Sequence, residues 1–355
     1  MRSADRVRSG AQRSEDGTGE ATTWPRWLAI LKIAKVPFWF MWLAPAVFAY
    51  MASARGGGVH HVGWFVASGF GICALQSTGC IHNELVDQPE DHVNQPKRAA
   101  LVAAVGEDTL WRLVFLGYAA CFLGLIPIGI IVGPTPVVIM LIGCLAAPLY
   151  NWGPRFKRRP GLAEFAIGWA VFCIYLYAWS WNRPVGEVSP VIWVLTYFFA
   201  ITCLIKDLPD VAGDELVGAR GIFSVKQARL RLGLLLFIYL SPYALLVGFV
   251  GAGILPLRFL GMLGLAALGL VVMAWGERVS SLDTLIAVYE IAFVYVHVFF
   301  LALLVLDTMT VWAIVVAVLL FVGRGLALAW GLAPRFVEPD FSWVRSVTKV
   351  ARATW

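Results

Sequence analysis

Charged side chains are scarce in this sequence. Asp, Glu, Lys and Arg together make up only 14% of its 355 residues, while hydrophobic residues make up 60%. An ordinary soluble domain carries about 25% charged residues, so the shortage excludes that class and indicates a polytopic membrane protein. The net charge of +6 does not indicate nucleic-acid binding, because the Lys and Arg residues fall in short segments between apolar runs.

Cysteine motifs are also missing. The chain has six cysteines, all in or beside apolar runs, and no pair has the Cys-x-x-Cys spacing. Nothing in their spacing indicates a disulfide framework or a zinc site. The simplest interpretation is that these side chains are small buried hydrophobic groups.

The amino-terminal segment lacks the apolar core and the cleavage pattern of a signal peptide. It is rich in Arg, Ser, Gly and Glu, and we predict that residues 1–25 form a disordered cytoplasmic tail. A transmembrane domain is predicted over residues 26–331, and a second cytoplasmic tail over residues 332–355. No short-period repeat or low-complexity segment interrupts this organisation.

Apolar runs of membrane-spanning length are what the chain has in abundance. Each is predicted to be a helix, because an open sheet cannot satisfy its backbone hydrogen bonds in lipid. The ten runs are residues 27–51, 62–82, 110–132, 134–152, 162–181, 188–206, 232–252, 256–275, 285–306 and 309–331. Only Asp307 and Thr308 separate the last two runs, so nine spans with a re-entrant piece and ten spans both fit the pattern.

The distribution of Lys and Arg predicts the orientation of these spans. If the N-terminus is cytoplasmic, the inner loops hold most of the basic residues, including the basic run at 155–159. The outer loops then hold only Arg55, Arg183 and Arg258. We therefore predict an integral protein of the cell (inner) membrane with a cytoplasmic N-terminus.

Two acidic motifs end apolar runs that point inward. In the first motif, Asn83, Asp87 and Asp91 are four residues apart and share one side of a helix. The second motif has acids at steps of three and four residues, at Asp207, Asp210 and Asp214. Carboxylates beside hydrocarbon are costly unless they are paired or bind cations, so both motifs are predicted functional sites. They end the second and sixth spans, and we predict that they face each other across a central cavity at the cytoplasmic side.

Oxygen-rich acidic clusters suit Mg²⁺ ions that bridge to phosphate oxygens. A lipid diphosphate fits such a site, because two or more Mg²⁺ ions would hold its head while its tail lies among the apolar helices. Three basic residues could neutralise further charge, namely Arg98, Lys206 and Lys157. Ionisation of the carbon–oxygen bond would leave an allylic cation, which aromatic rings stabilise, and a diphosphate whose charge the metal stabilises.

The two motifs resemble the two signatures of the UbiA superfamily of intramembrane prenyltransferases. The motif Asn83-x3-Asp87-x3-Asp91, continued by Asn94, Pro96 and Arg98, resembles the first signature. The second is resembled by Lys206-Asp207-x2-Asp210-x2-Gly213-Asp214. Tyr150 and the basic run at 155–159 are similar to the family's loop after the fourth span, and the resemblance covers roughly residues 27–306.

The resemblance implies an all-α fold, a helical bundle of about nine or ten transmembrane helices around a central cavity. It also implies Mg²⁺-dependent use of an isoprenyl diphosphate, which would make residues 26–331 a catalytic domain. On this basis the metal ligands would be Asn83, Asp87, Asp91, Asp210 and Asp214, of which Asn83, Asp87, Asp210 and Asp214 are also the expected catalytic residues. The expected diphosphate contacts are Arg98 and Lys206, to which the charge argument adds Lys157.

Some positions near the first motif depart from the family pattern. Glu84 stands where the family usually has Asp, and it is still able to serve as a ligand at longer reach. Pro89 is expected to disturb the helix before Asp91. His82 and His92 flank the motif, and we interpret both as polar loop residues rather than as bases.

Several functions are compatible with these motifs. We favour transfer of the prenyl group to an aromatic or other lipophilic acceptor, with release of diphosphate. Cyclisation without an acceptor, by a UbiA-type terpene cyclase, would use the same metal motifs and stays open. An ion-coupled transporter is disfavoured, because the acids lie at the ends of spans rather than at the midplane. A structural alternative is that Asn83 and Asp87 only cap a helix end.

Overall fold

Helices form the regular structure of the described part of the chain. The computed structural model describes residues 25–55, 61–88, 91, 96–152, 156–159, 161–203, 228–278 and 282–330. These residues form α-helices and short 3₁₀ segments, and no strand occurs among them. The predicted all-α membrane fold is therefore confirmed. The predicted tails lie outside the described residues, apart from Pro25.

The helices follow the predicted apolar runs along the chain. The first half contains α1 (Arg26–Ile33), α2 (Trp39–Ser53), α3 (Val62–Val86), α4 (Pro96–Val105), α5 (Glu107–Ile131), α6 (Pro134–Cys144) and α7 (Ala146–Asn151). The second half contains α8 (Leu162–Trp179), α9 (Val191–Cys203), α10 (Ala228–Gly251), α11 (Leu263–Arg278), α12 (Leu282–Thr308) and α13 (Val311–Ala329). Short 3₁₀ segments lie at Val36–Phe38, Phe156–Arg158, Val185–Glu187 and Leu257–Met262.

Six helical segments of the described chain are both long enough and apolar enough to cross a membrane. They are Arg26–Ser53, Val62–Val86, Glu107–Ile131, Pro134–Asn151, Leu162–Trp179 and Val311–Ala329. Apolar stretches of the remaining helices lie in the other predicted spans, over Val191–Thr202, Leu236–Gly251, Leu257–Val271 and Val294–Thr308. The length and composition of these helices are those of an integral membrane protein.

α8 is the central helix of the bundle. It packs against α2, α6 and α9, and its side chains Val171, Tyr175 and Ala178 are fully buried. By contrast, many apolar side chains of α5 and most of those of α13 are exposed. Helices of that kind belong at the lipid-facing periphery, since hydrocarbon is their solvent.

Small residues allow the central helices to approach closely. Lipid tails are as apolar as Leu side chains, so helix association in a membrane depends on close packing rather than on a hydrophobic driving force. Gly168 of α8 lies against Ala200 and Thr196 of α9. A Cβ built on Gly168 would lie 2.9 Å from the Cβ of Ala200, so the glycine is required for this contact.

Gly168→Ala is expected to destabilise the bundle by about 1–3 kcal/mol, because the added methyl group overpacks the α8–α9 contact. Gly124→Ala in α5 is the matched control, since nothing lies within 4 Å of a Cβ built there. Alanine is the better helix former by about 1 kcal/mol, so this control should be neutral or stabilising. Thermal unfolding in detergent measures both variants. A melting temperature of Gly168→Ala equal to that of Gly124→Ala would contradict the packing argument.

A polar cluster joins the helices at the end of the bundle where α3 begins. The carboxylate of Asp307 accepts hydrogen bonds from the Tyr175 hydroxyl at 3.0 Å and from the Ser189 hydroxyl at 2.8 Å. Arg55, which follows α2, donates to the backbone carbonyl of Asp307. The buried acid between the last two apolar runs is thus satisfied by partners from distant parts of the chain.

The three predicted outer arginines lie together at this end of the bundle. Arg55 bonds to Asp307, Arg183 donates to the Ser53 carbonyl at 2.8 Å, and Arg258 donates to the Leu306 carbonyl at 2.9 Å. The first acidic motif lies at the other end of α3, which with its 25 residues is about 37 Å long. The described basic residues that were predicted for opposite sides of the membrane therefore lie at opposite ends of the bundle.

Candidate functional site

The first acidic motif lies where α3 ends. The helix stops at Val86, and Asp87 follows with φ −93° and ψ 6°. The Asp87 amide still donates to the Asn83 carbonyl at 2.9 Å, and the Asp91 amide donates to the Asp87 carbonyl at 2.8 Å. Asn83, Asp87 and Asp91 are therefore linked at the predicted four-residue steps. Regular α3 ends before Pro89, as expected, and Pro89 itself lies outside the described residues.

Asp87 is held by partners on both of its carboxylate oxygens. Asn83 donates its side-chain amide to Oδ2 at 2.7 Å, and the Lys157 ammonium pairs with Oδ1. Lys157 belongs to the 3₁₀ segment Phe156–Arg158, which precedes α8. The structure thus brings the predicted Lys157 into the first motif, across 70 residues of sequence.

An aromatic cluster anchors the basic segment beside the motif. The ring of His82 is fully buried in α3, with its centre 5.0 Å from that of Trp152 and 5.5 Å from that of Trp111. Its Nδ1 lies 3.3 Å from the hydroxyl of Tyr118. The interpretation of His82 as a polar loop residue was wrong, because these aromatic rings provide a buried niche at the end of α3. His92 lies outside the described residues.

Glu84 forms a buried ion-pair network one residue after Asn83. It is 1% exposed. Arg98 of α4 donates from Nε to Oε2 at 2.5 Å and from Nη2 to Oε1, while the Lys35 ammonium lies 2.8 Å from Oε1. Lys35 follows α1 in the connection to α2. The sequence allowed Glu84 to bind a metal through its longer side chain. In the structure this side chain pairs with two cations instead.

Lys35 is a residue of the site that the sequence did not reveal. It lies inside the first apolar run and belongs to neither motif, so no spacing connects it with Glu84. One feature of the sequence could have indicated Lys35, namely its position inside an apolar run. A cation within a membrane span usually has a functional or pairing role.

Asp91 is a buried acid with one open oxygen. It is 5% exposed and lies beyond the end of the α3 span, and its Oδ2 accepts no hydrogen bond from the part of the chain that the structure describes. Arg98 Nη2 is 3.4 Å from that oxygen. Burial raises the pKa of Asp91 to about 8, and the positive charge of Arg98 only partly opposes this effect. A carboxylate in such a position is stabilised by a bound cation.

The described half of the site supplies oxygen ligands that suit Mg²⁺. Asn83, Asp87 and Asp91 provide an amide oxygen and two carboxylates, and one of those carboxylates is buried with an open oxygen. No group of three Asp, Glu, His or Cys residues in the described part of the chain forms a metal site by itself. A complete site therefore needs further ligands, which is the role predicted for the second motif.

The second motif lies outside the described residues, with Lys206, Asp210 and Asp214 among residues 204–227. The helix before it is described. α9 begins two residues after Ser189, which bonds to Asp307 at the end of the bundle remote from Asp87. It then packs along α8, which begins near Lys157. α9 therefore runs towards the end of the bundle that holds the first motif.

Comparison with known proteins identifies the family. A model of the UbiA prenyltransferase family matches residues 42–293, which is most of the chain. The chain belongs to the UbiA prenyltransferase family. The match includes the first motif, the Lys157 segment and the second motif, so the resemblance noted in the sequence is confirmed at the level of the family.

Two plant proteins are among the relatives of this UbiA family member. A probable homogentisate phytyltransferase 2 (chloroplastic) of Oryza sativa subsp. japonica is 26% identical over 186 residues, which cover 48% of this chain and 45% of that protein. Naringenin 8-dimethylallyltransferase 2 (chloroplastic) of Sophora flavescens is 29% identical over 174 residues, which cover 43% and 40%. The chain thus spans less than half of the length of these curated relatives.

A solved structure shares the helical fold. It is described as a digeranylgeranylglyceryl phosphate synthase in membranes, and it is 15% identical to this chain with a TM-score of 0.56. The alignment covers 80% of this chain and 99% of that one. At this identity the likeness concerns the fold alone, and it extends over nearly the whole of the solved chain.

Proposed function

We propose that this UbiA family member is an intramembrane prenyltransferase. It binds an isoprenyl diphosphate at the end of α3, ionises the bond between the prenyl carbon and the diphosphate, and transfers the prenyl group to an aromatic or other lipophilic acceptor. Diphosphate is the other product. The observation that carries the proposal is Asp87, held by Asn83 and Lys157 at the end of an apolar helix in a chain of this family.

Mg²⁺ is proposed as the metal cofactor, with two or more ions. The ligands would be Asn83, Asp87 and Asp91 from the first motif, and Asp210 and Asp214 from the second. When bound, the metal neutralises the charge that develops on the departing diphosphate. The Oδ2 of Asp91 supports this ligand set, because this buried oxygen accepts no hydrogen bond from the described residues and lies 3.4 Å from Arg98 Nη2.

Basic residues around the motif would bind the diphosphate. Lys157 contacts Asp87, and Arg98 lies between Glu84 and Asp91, so both cations are next to the proposed ligands. Lys206 is proposed to act with them from the second motif. Charge-assisted hydrogen bonds from Lys and Arg hold phosphate oxygens and orient the scissile bond towards the apolar interior.

The interior of the bundle contains buried aromatic side chains. Phe198 and Phe299 stack with ring centres 3.7 Å apart, and the hydroxyls of Tyr243 and Tyr295 lie 2.6 Å apart. These residues come from α9, α10 and α12 and are buried. Aromatic faces stabilise a passing carbocation and their burial excludes water, which would otherwise capture it.

The activities named for the two plant relatives support transfer rather than cyclisation. They specify a phytyl group for homogentisate and a dimethylallyl group for naringenin, and both of these acceptors are aromatic compounds. Transport is a weaker alternative, because the first motif lies at a helix end and the family is one of prenyltransferases.

The cytoplasmic side of the cell membrane is the proposed location of the site. Arg98 and Lys157 lie at the α3 end of the bundle that carries the first motif, and only Arg55, Arg183 and Arg258 were predicted for the other side. The excess of Lys and Arg on the cytoplasmic side of membrane proteins supports this orientation. The catalytic domain is proposed to comprise residues 26–331.

Product analysis tests the proposed function. The purified protein in detergent is incubated with Mg²⁺ and geranyl, farnesyl or geranylgeranyl diphosphate, first without and then with homogentisate or naringenin. We expect diphosphate release that requires both Mg²⁺ and an acceptor, together with the mass of a prenylated acceptor. Hydrocarbon or terpene alcohol formed without an acceptor would instead establish cyclisation. Failure to consume any of these diphosphates under any condition would refute the proposal.

A further inference from the structure

We propose that Glu84 is a positioning residue, which holds Arg98 and Lys35 in the orientation that receives the diphosphate. This inference rests on the proposed function and concerns the same site. Neither the motif pattern nor the family relationship assigns this role to Glu84, whose position in the first motif suggested a metal ligand instead.

The geometry of the Glu84–Arg98 pair defines the plane of the guanidinium group. Arg98 donates through Nε to one carboxylate oxygen and through Nη2 to the other. Two parallel hydrogen bonds of this kind restrict both the position and the rotation of the arginine. The side chains are only 2% and 6% exposed, so water does not compete for the pair.

Both oxygens of Glu84 are occupied by cations. Oε1 faces Lys35 and Arg98, and Oε2 accepts from Arg98. By contrast, Asp91 Oδ2 accepts no hydrogen bond among the described residues. The two acids thus differ in their partners, because Glu84 is held by Lys35 and Arg98 at hydrogen-bond distance, whereas Asp91 Oδ2 lies 3.4 Å from Arg98 Nη2.

The backbone conformation of Lys35 turns the chain so that its side chain reaches Glu84. Its backbone has φ 52° and ψ 53°, a left-handed conformation that costs energy for any residue other than glycine. The bend lies between α1 and the 3₁₀ segment Val36–Phe38, and it brings the Lys35 ammonium to 2.8 Å from Glu84. Strained backbone of this kind is concentrated at functional sites.

Stability alone does not explain a buried network of this composition. Buried ion pairs are often no more stabilising than apolar residues of the same volume, because desolvation offsets the attraction between the charges. An additional negative charge at Glu84 would by itself oppose the binding of an anionic diphosphate. Retaining the charge there is useful if it orients Arg98 and keeps the guanidinium from closing fully on Asp91, from which Nη2 is 3.4 Å away.

This reasoning gives opposite expectations for Glu84→Gln. If Glu84 only supplied negative charge, its removal would strengthen diphosphate binding. If it positions Arg98, the arginine is expected to move onto Asp91, and diphosphate binding should weaken by about 10-fold or more, as for loss of a charge-assisted hydrogen bond. KM for the prenyl diphosphate should rise by a similar factor, while kcat changes less.

The experiment measures binding and turnover separately. Calorimetric titration with inorganic pyrophosphate in excess Mg²⁺ gives Kd for the wild-type protein, Glu84→Gln, Glu84→Asp and Glu107→Gln. Glu107→Gln is the matched control, because Glu107 is an exposed acid at the start of α5, outside the site. Glu84→Asp keeps the charge but shortens the side chain, so an intermediate Kd is expected. It also serves as the test variant if Glu84→Gln does not fold.

The outcomes distinguish this inference from the proposed function. Weaker pyrophosphate binding by Glu84→Gln and Glu84→Asp, with Glu107→Gln unchanged, supports the positioning role even if no prenyl transfer is detected. Unchanged or tighter binding in an active enzyme overturns the positioning role and leaves the proposed function intact. A wild-type protein that neither binds magnesium pyrophosphate nor consumes prenyl diphosphate overturns both.

Discussion

Asp87→Ala is expected to lower kcat/KM by about 10³-fold or more, the scale on which electrostatic stabilisation of a transition state is lost. Asp87 joins the amide of Asn83 to the ammonium of Lys157, and it is the central proposed ligand of the first motif. Its removal would take away a metal ligand and release Lys157 from its position. The carboxylate is partly exposed at the end of α3, so the protein should remain folded.

Steady-state kinetics with a Mg²⁺ titration measures this effect. Asp108→Ala is the control, because Asp108 is an exposed acid in the first turn of α5. We expect that control to retain full activity and to lose at most about 1 kcal/mol of favourable interaction with the helix dipole. Asp210→Ala should resemble Asp87→Ala if the second motif supplies ligands. Wild-type turnover by Asp87→Ala or by Asp210→Ala would contradict the assignment of that residue as a metal ligand.

Arg98→Met is expected to reduce the unfolding free energy by about 3–5 kcal/mol, which is the usual result of removing one partner of a buried ion pair. Among the described residues, the substitution leaves Glu84 with the Lys35 ammonium and removes the cation that lies 3.4 Å from Asp91. Methionine keeps much of the volume of the arginine stem. The decrease in unfolding free energy therefore comes from the lost charge rather than from a cavity. KM for the prenyl diphosphate should also rise, since a proposed diphosphate contact is removed.

The double variant Glu84→Gln/Arg98→Met separates stability from function. It removes both charges of the main pair, so much of the lost stability should return while diphosphate binding stays weak. Unfolding in detergent and the KM for prenyl diphosphate are measured on the same preparations. An Arg98→Met protein with wild-type stability and an unchanged KM would show that the pair has neither role.

The positions of the helices were largely predictable from sequence. A bilayer requires about 20 apolar residues for each helical span, and this requirement appears as continuous runs of the kind that became α3, α5 and α8. The break between α1 and α2 was less visible, because it depends on Lys35 adopting a left-handed conformation inside an apolar run. The partner that stabilises this conformation, Glu84, lies on another helix.

The first motif was predictable as a set of residues but not as a set of contacts. Helical periodicity relates Asn83, Asp87 and Asp91, and the backbone bonds at four-residue steps agree with it. The cation that each acid meets depends on helices and segments elsewhere in the chain. Lys157 reaches Asp87 from a segment that follows Trp152, whose ring packs on His82 of α3.

The sequence by itself determined that this protein is a helical membrane protein of the UbiA family, with an acidic motif at the end of its second span. These properties depend on local composition and spacing, which the linear chain records directly. Only the tertiary structure decided that Glu84 faces Lys35 and Arg98 while Asp91 keeps an open oxygen. The reason is that ion pairing between buried side chains depends on which distant segments pack together, and chemically similar carboxylates differ only in the neighbours that folding gives them.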